Sequence, residues 1–147
     1  MNCIGIGLAA LAAISPAAIA SEPPKEELLA ELRRQIAGRE QEPAEVVFKD
    51  IQLFKGRPAE QLLAVMDPGF SRSLGVECSL CHDVKDWPGD GLEQKAVARE
   101  TILMTGAINE KLGATEGIES DTPVINRTTC HRGQKKPATS LDQPQPK

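Results

Sequence analysis

Apolar residues recur at helical spacing in several stretches of this chain of 147 residues. Leu28, Leu29, Leu32 and Ile36 lie between Pro24 and Gly38. This predicts an amphipathic helix that begins near the proline and stops near the glycine. Its many charged residues suggest a peripheral place. A second helix begins at Pro58, carries Leu62, Leu63 and Met66 on one face, and ends at Asp67-Pro68-Gly69. A third, short helix runs to Leu74 with Gly75 as its stop. The longest periodic stretch spans Glu93 to Leu112, where Val97, Thr101, Met104, Ile108 and Leu112 form a stripe and Gly113 ends the helix. A short extended piece is expected around Val46–Phe54, a turn at Asp86–Gly91 and a polar loop over 114–128. The fold class is therefore mainly α, with little sheet.

The first twenty residues, Met1 to Ala20, contain no charged side chain and end in Ala18-Ile19-Ala20. An apolar run followed by a small-x-small site reads as a secretory signal peptide cut after Ala20. The alternative is a retained membrane anchor, although the run is short for a span and Pro16 interrupts it. The expected organisation is a signal peptide at 1–20 and an N-terminal helix and linker at 21–43. The main domain follows at 44–133, with a disordered tail rich in Pro, Lys and Gln at 134–147. The location implied is periplasmic, with membrane association if the leader is kept.

Export leaves Cys78, Cys81 and Cys130, an odd number, which points to a free thiol, an intermolecular bridge or a cofactor. The net charge of −4 and the lack of a basic stripe argue against a nucleic-acid partner. Aromatic residues are few: Phe48, Phe54, Phe70, Trp87 and no tyrosine. A small domain this poor in large side chains needs another source of buried apolar surface. A porphyrin would provide one.

The chemistry lies in Cys78-Ser79-Leu80-Cys81-His82. Cys-x-x-Cys-His is the attachment pattern of a c-type haem. Two cysteines one short turn apart reach the two vinyl groups of one porphyrin, and the next residue falls beneath the iron. Cys78 and Cys81 are the expected thioether donors and His82 an axial ligand. A redox disulfide would want a βαβ context, which the pattern lacks. A zinc site would have to recruit Cys130 and His131. Both histidines of the chain directly follow a cysteine.

A repeat frames this motif. Met66 precedes Leu74-Gly75 by the same spacing as Met104 precedes Leu112-Gly113, and each unit leads to a Cys-His pair. Methionine is a common sixth ligand because a thioether favours Fe(II). Met66 pairs naturally with His82, and Met104 with His131, although methionine at helical spacing also serves as core. The second copy is Arg127-Thr128-Thr129-Cys130-His131, with arginine where the first cysteine would stand. It reads as a second haem held by one thioether through Cys130, as the remnant of a lost haem, or as a sequence error. The retention of Met104, Cys130 and His131 favours the first. Arg127 and Arg132 are candidates for haem propionates or for the solvated surface.

From Val47 to Gly133 the chain resembles the multihaem cytochrome c subunit of photosynthetic reaction centres. The resemblance rests on Phe48-Lys49-Asp50-Ile51-Gln52-Leu53, Met66, and Leu74-Gly75-Val76-Glu77 leading into the Cys-x-x-Cys-His motif. It continues through Ala98-Arg99, Met104, Ala107-Ile108-Asn109 and Thr129-Cys130-His131-Arg132-Gly133. In that family each haem is served by a helix bearing an axial methionine, a turn and an attachment helix. The resemblance implies a small multihaem c-type cytochrome built from such units, with Met66 and Met104 as distal ligands. That subunit carries four haem units, whereas this chain has room for two. The expected function is electron transfer through haem c rather than enzymatic catalysis, between periplasmic donor and acceptor proteins, a membrane redox complex or a reaction centre. The competing reading is a haem-based gas sensor or small haem enzyme with one open iron.

Overall fold

The computed structural model of the chain describes residues 23–142. The expected signal peptide and the end of the tail, 143–147, lie outside the described residues. Helices dominate: α1 (Lys25–Gln35), α2 (Ala44–Val47), α3 (Ala59–Ala64), α4 (Glu93–Gly113) and α5 (Arg127–His131). α3 runs on as a π-helical segment, Val65–Arg72, and Cys78–Leu80 form one 3₁₀ turn. Among the described residues there is no strand, and β-pairing is limited to the isolated bridges Pro43–Pro58 and Asp83–Asp86. The mainly α expectation holds.

Proline sets the helix starts. Pro24, Pro43 and Pro58 occupy the N-cap positions of α1, α2 and α3 with extended backbone. The missing proline N–H removes no helical bond there. α1 ends where expected, with Ile36 as its cap and Gly38 at φ 80° beyond it. It is not peripheral, however. Ile36 is only 2% exposed and anchors the core cluster with Ala59 and Leu63, against Leu32, Val47 and Phe48. The charged residues cover one side of α1, and its leucine–isoleucine stripe is buried like that of any amphipathic helix.

Two further expectations change. The segment around Val46–Phe54 is not extended. Pro43 starts a single turn of helix through Val47, and Asp50 and Phe54 then take positive φ (57° and 65°), which bends the chain twice. Nor does the second helix stop at Asp67-Pro68-Gly69. It passes through Pro68 as a π-helix. Proline lacks an N–H and crowds the carbonyl one α-turn earlier, and the wider π turn relieves both faults. Ser73 Oγ donates to the Pro68 carbonyl at 2.9 Å. Gly75, at φ 65°, then stops the helix as expected.

α4 follows its expected span to within one residue. None of its 21 residues is buried. Asn109 ties it to the strand-like approach to α5: its amide donates to the Ile125 carbonyl at 3.0 Å and its carbonyl accepts from Ile125 N–H at 2.7 Å. Asn126 caps α5 in a reciprocal capping box with Thr129. α5 docks on the turn that ends the π segment. Ser73 Oγ and Thr128 Oγ1 are 2.7 Å apart, and Gly133 N–H donates to the Ser73 carbonyl at 2.8 Å. A Cβ on Gly75 would collide with the Gly133 carbonyl, so both close approach and positive φ require glycine there.

Candidate functional site

A cavity of about 440 Å³ lies between α1, α3, the π segment, the Cys78–His82 turn and α4. This is within the ~300–1,000 Å³ range usual for cofactor pockets. Met66, Cys78, Cys81 and His82 all line it. So do Phe48, Phe54, Phe70 and Trp87, which are all four aromatic residues of the chain. Leu29 and Leu32 of α1, Leu62 and Leu63 of α3, and Ile102 of α4 add aliphatic surface. The scarce aromatic area is thus gathered on one apolar chamber, with Phe48 also packing against the core cluster.

Local chemistry delivers each ligand-bearing side chain. Met66 stands near the start of the π segment, the kind of irregular turn that recurs at functional sites. Ser71 Oγ donates to the Val76 carbonyl at 2.6 Å, and Val76 N–H donates to the Ser71 carbonyl at 3.0 Å. These bonds reverse the chain and aim the 3₁₀ turn at the cavity. Backbone bonds from Cys81 N–H and His82 N–H to the Cys78 carbonyl, at 3.1 and 3.0 Å, bring both cysteines and the histidine onto one compact turn.

The His82 ring is fixed at one nitrogen. Its Nδ1 lies 3.3 Å from the Trp87 carbonyl, and the indole ring packs at a tilted 5.3 Å centroid distance. A carbonyl can only accept, so Nδ1 carries the proton and Nε2 keeps its lone pair for a metal. Burial pushes the imidazole pKa below its ordinary value, opposed by the Trp87 carbonyl. A neutral, oriented imidazole is what iron ligation needs. Burial also pushes the Cys81 thiol pKa up. A redox-active thiol wants the opposite shift.

These residues fit haem c. With haem c bound here, Cys78 and Cys81 would supply the thioethers, and the Nε2 of His82 and the thioether of Met66 would be the candidate donors for iron. The walls would bury the apolar faces of the ring. Among the described residues no three His, Cys, Asp or Glu side chains gather as a metal-binding cluster.

A polar network that sequence reasoning missed closes one side of the cavity. Lys95 Nζ donates to the carbonyls of Trp87, Pro88 and Gly89 at 3.3, 2.8 and 3.0 Å, and lies 3.0 Å from Asp90. Arg99 bridges Asp90 and Asp50, at 2.8 Å to each. Arg99 and Lys95 hold the Asp90 carboxyl well below the usual carboxylate range. The available signal was the four-residue spacing of Lys95 and Arg99 on one helix face.

The second Cys-His unit is arranged differently. Met104 is 54% exposed on α4, Cys130 is an exposed free thiol on α5, and neither they nor His131 line the first cavity. His131 nevertheless repeats the tautomer device: its Nδ1 lies 2.9 Å from the Gln134 carbonyl. Arg127 turns inward, its guanidinium carbon 3.5 Å from the centroid of the Phe70 ring. Its Nη2 is buried without a hydrogen-bond partner, and burial lowers its pKa. Phe70 is itself a wall of the first cavity, so Arg127 braces the first unit from behind.

Comparison with curated proteins finds no match. The family model for the photosynthetic reaction centre cytochrome C subunit matches residues 5–145, nearly the whole chain. That match agrees with the helical architecture, the methionine-bearing helices and the Cys-x-x-Cys-His turn beside an apolar chamber. The chain belongs to the photosynthetic reaction centre cytochrome c subunit family and is a c-type cytochrome of electron transfer.

Proposed function

We propose that this chain is an exported, periplasmic electron carrier with two covalent haems. The first is held by Cys78 and Cys81, with His82 and Met66 as axial ligands. The second is held by the single thioether of Cys130, with His131 and Met104 as its ligands. Haem c supplies a one-electron Fe(II)/Fe(III) couple, and the protein's part is to hold it, exclude water and tune it. The observation that carries the reading is the gathering of Met66 with Cys78, Cys81 and His82 around one apolar chamber.

The second site is supported by two observations. His131 presents Nε2 as His82 does, through a carbonyl on Nδ1. Val97, Met104 and Ile108 leave an apolar stripe of α4 exposed, at 53, 54 and 38%. A porphyrin attached at Cys130 would need apolar cover, and this stripe is the candidate for it. Export fits the uncharged first twenty residues. The partners are then redox proteins that meet the domain outside the cytoplasm, among them a membrane complex of the reaction-centre kind.

Carbon monoxide tests the ligation. The reduced protein should bind it slowly at both irons, because Met66 and Met104 fill the sixth positions. Met66→Ala should open the first iron to fast binding and leave the second unchanged. Fast binding to the unmodified protein would instead favour a sensor or small haem enzyme with an open iron.

A further inference from the structure

We propose that Lys95 is a positioning residue that holds the reduction potential of the first haem high, by sharing the carbonyl oxygen that orients His82. This inference rests on the proposed ligation of iron by His82.

The Trp87 oxygen accepts twice. His82 Nδ1 approaches it at 3.3 Å, and Lys95 Nζ approaches the same atom at 3.3 Å. The ammonium is seated in a cup: it also reaches the Pro88 carbonyl at 2.8 Å and the Gly89 carbonyl at 3.0 Å. Asp90 at 3.0 Å and Asp50 at 3.5 Å balance its charge, and Arg99 spans the same two carboxylates. The Lys95 side chain is only 12% exposed, so solvent screens its contacts with the three carbonyl oxygens weakly.

The consequence follows from what the partner of an axial histidine does. A good acceptor on Nδ1–H gives the imidazole more imidazolate character, strengthens its donation to iron and favours Fe(III). A cation on the same oxygen withdraws electron density and makes it a poorer acceptor. The imidazole then donates less, and Fe(II) is favoured. The location gives the contact a further meaning. Lys95 belongs to the first turn of α4, the helix that carries Met104. The helix of the second unit thus grips the axial histidine of the first.

The test uses the full haem-loaded protein and two variants. Lys95→Met removes charge and donors while keeping the stem, and Lys95→Arg keeps both. Two readouts are taken: potentiometric titration of the haems, and the His82 Nδ1–H proton resonance of the reduced protein. Lys95→Met should lower the potential of one haem only and move the ring-proton resonance downfield, as the His82–Trp87 bond strengthens. Lys95→Arg should restore both towards wild type. Should Lys95→Met fail to take up haem, Lys95→Gln, which keeps a donor without the charge, is expected to shift both readouts in the same directions. A loaded variant with unchanged potential overturns the inference, as does a potential that moves with no change in the ring proton. A wild-type protein without covalent haem overturns the ligation itself, which is a separate failure.

Discussion

The two Cys-His units share local chemistry and differ in enclosure. In each, a helix supplies a methionine, a short turn supplies Cys-His, and a backbone carbonyl fixes the histidine tautomer. The first unit is walled by α1, residues 47–54, α3 and its π segment, the Cys78–His82 turn and α4, and by all the aromatic residues. The second rests on a helix with no buried residue. Even the repeated glycines differ: Gly75 is left-handed and ends its helix, whereas Gly113 is still helical. The difference teaches that ligand spacing and chamber are separate inventions of a sequence. A short motif sets the ligands, while a chamber requires distant segments such as α1 to fold over them. In the proposed two-haem protein, the second porphyrin itself completes the missing cover.

Core substitution breaks this comparison most sharply. Ile36→Ala should cost about 2–5 kcal/mol, because Ile36 is 2% exposed at the centre of the core beneath the first unit. Urea unfolding of the loaded protein measures it. Ile108→Ala, on the open stripe, should matter only through the second haem. Its cost should be clear in the wild-type background and shrink to within about 0.5 kcal/mol when Cys130 is also replaced by alanine.

A smaller effect probes the joint between the units. Gly75→Ala places a side chain at φ 65° against the Gly133 carbonyl. The left-handed conformation alone costs roughly 1–2 kcal/mol. The clash should push α5 off the first unit, so the spectrum of the second haem should change before that of the first.

The smallest effect concerns the polar lid of the first chamber. Asp90 is held below the usual carboxylate range by Arg99 and Lys95. A depressed folded value means that its contribution is fully present above the unfolded value, about 3.9 for Asp. That contribution is lost as pH falls through the folded value. The melting-temperature gap between wild type and Asp90→Asn should be constant from neutral to weakly acidic pH and close below that. It should be modest, since the carboxylate is exposed and screened.

Much of this was legible in the sequence, and the exceptions have physical causes. α4 could be bounded because a 3.6-residue period, a turn before it and a glycine after it agree. The Cys78–His82 turn was legible because its chemistry is wholly local. The π-helix was not, since proline signals a break and only the surrounding bonds, such as Ser73 to the Pro68 carbonyl, let the helix continue. Val46, Val47 and Phe48 favour strands by propensity, yet the segment after Val47 is bent. Tertiary contacts with Ile36 and Leu63 override that preference. The core role of α1 and the carbonyl cup around Lys95 depend on residues far apart in sequence, or on backbone atoms that no residue pattern records.

The central claim is tested most directly by the intact mass of the exported protein made alongside haem-attachment machinery. The account predicts an increase of two haems, falling to one in Cys130→Ala and to one in a Cys78→Ala, Cys81→Ala double variant. A protein that carries no covalent haem would contradict it, and a single haem that survives Cys130→Ala unchanged would contradict the second site.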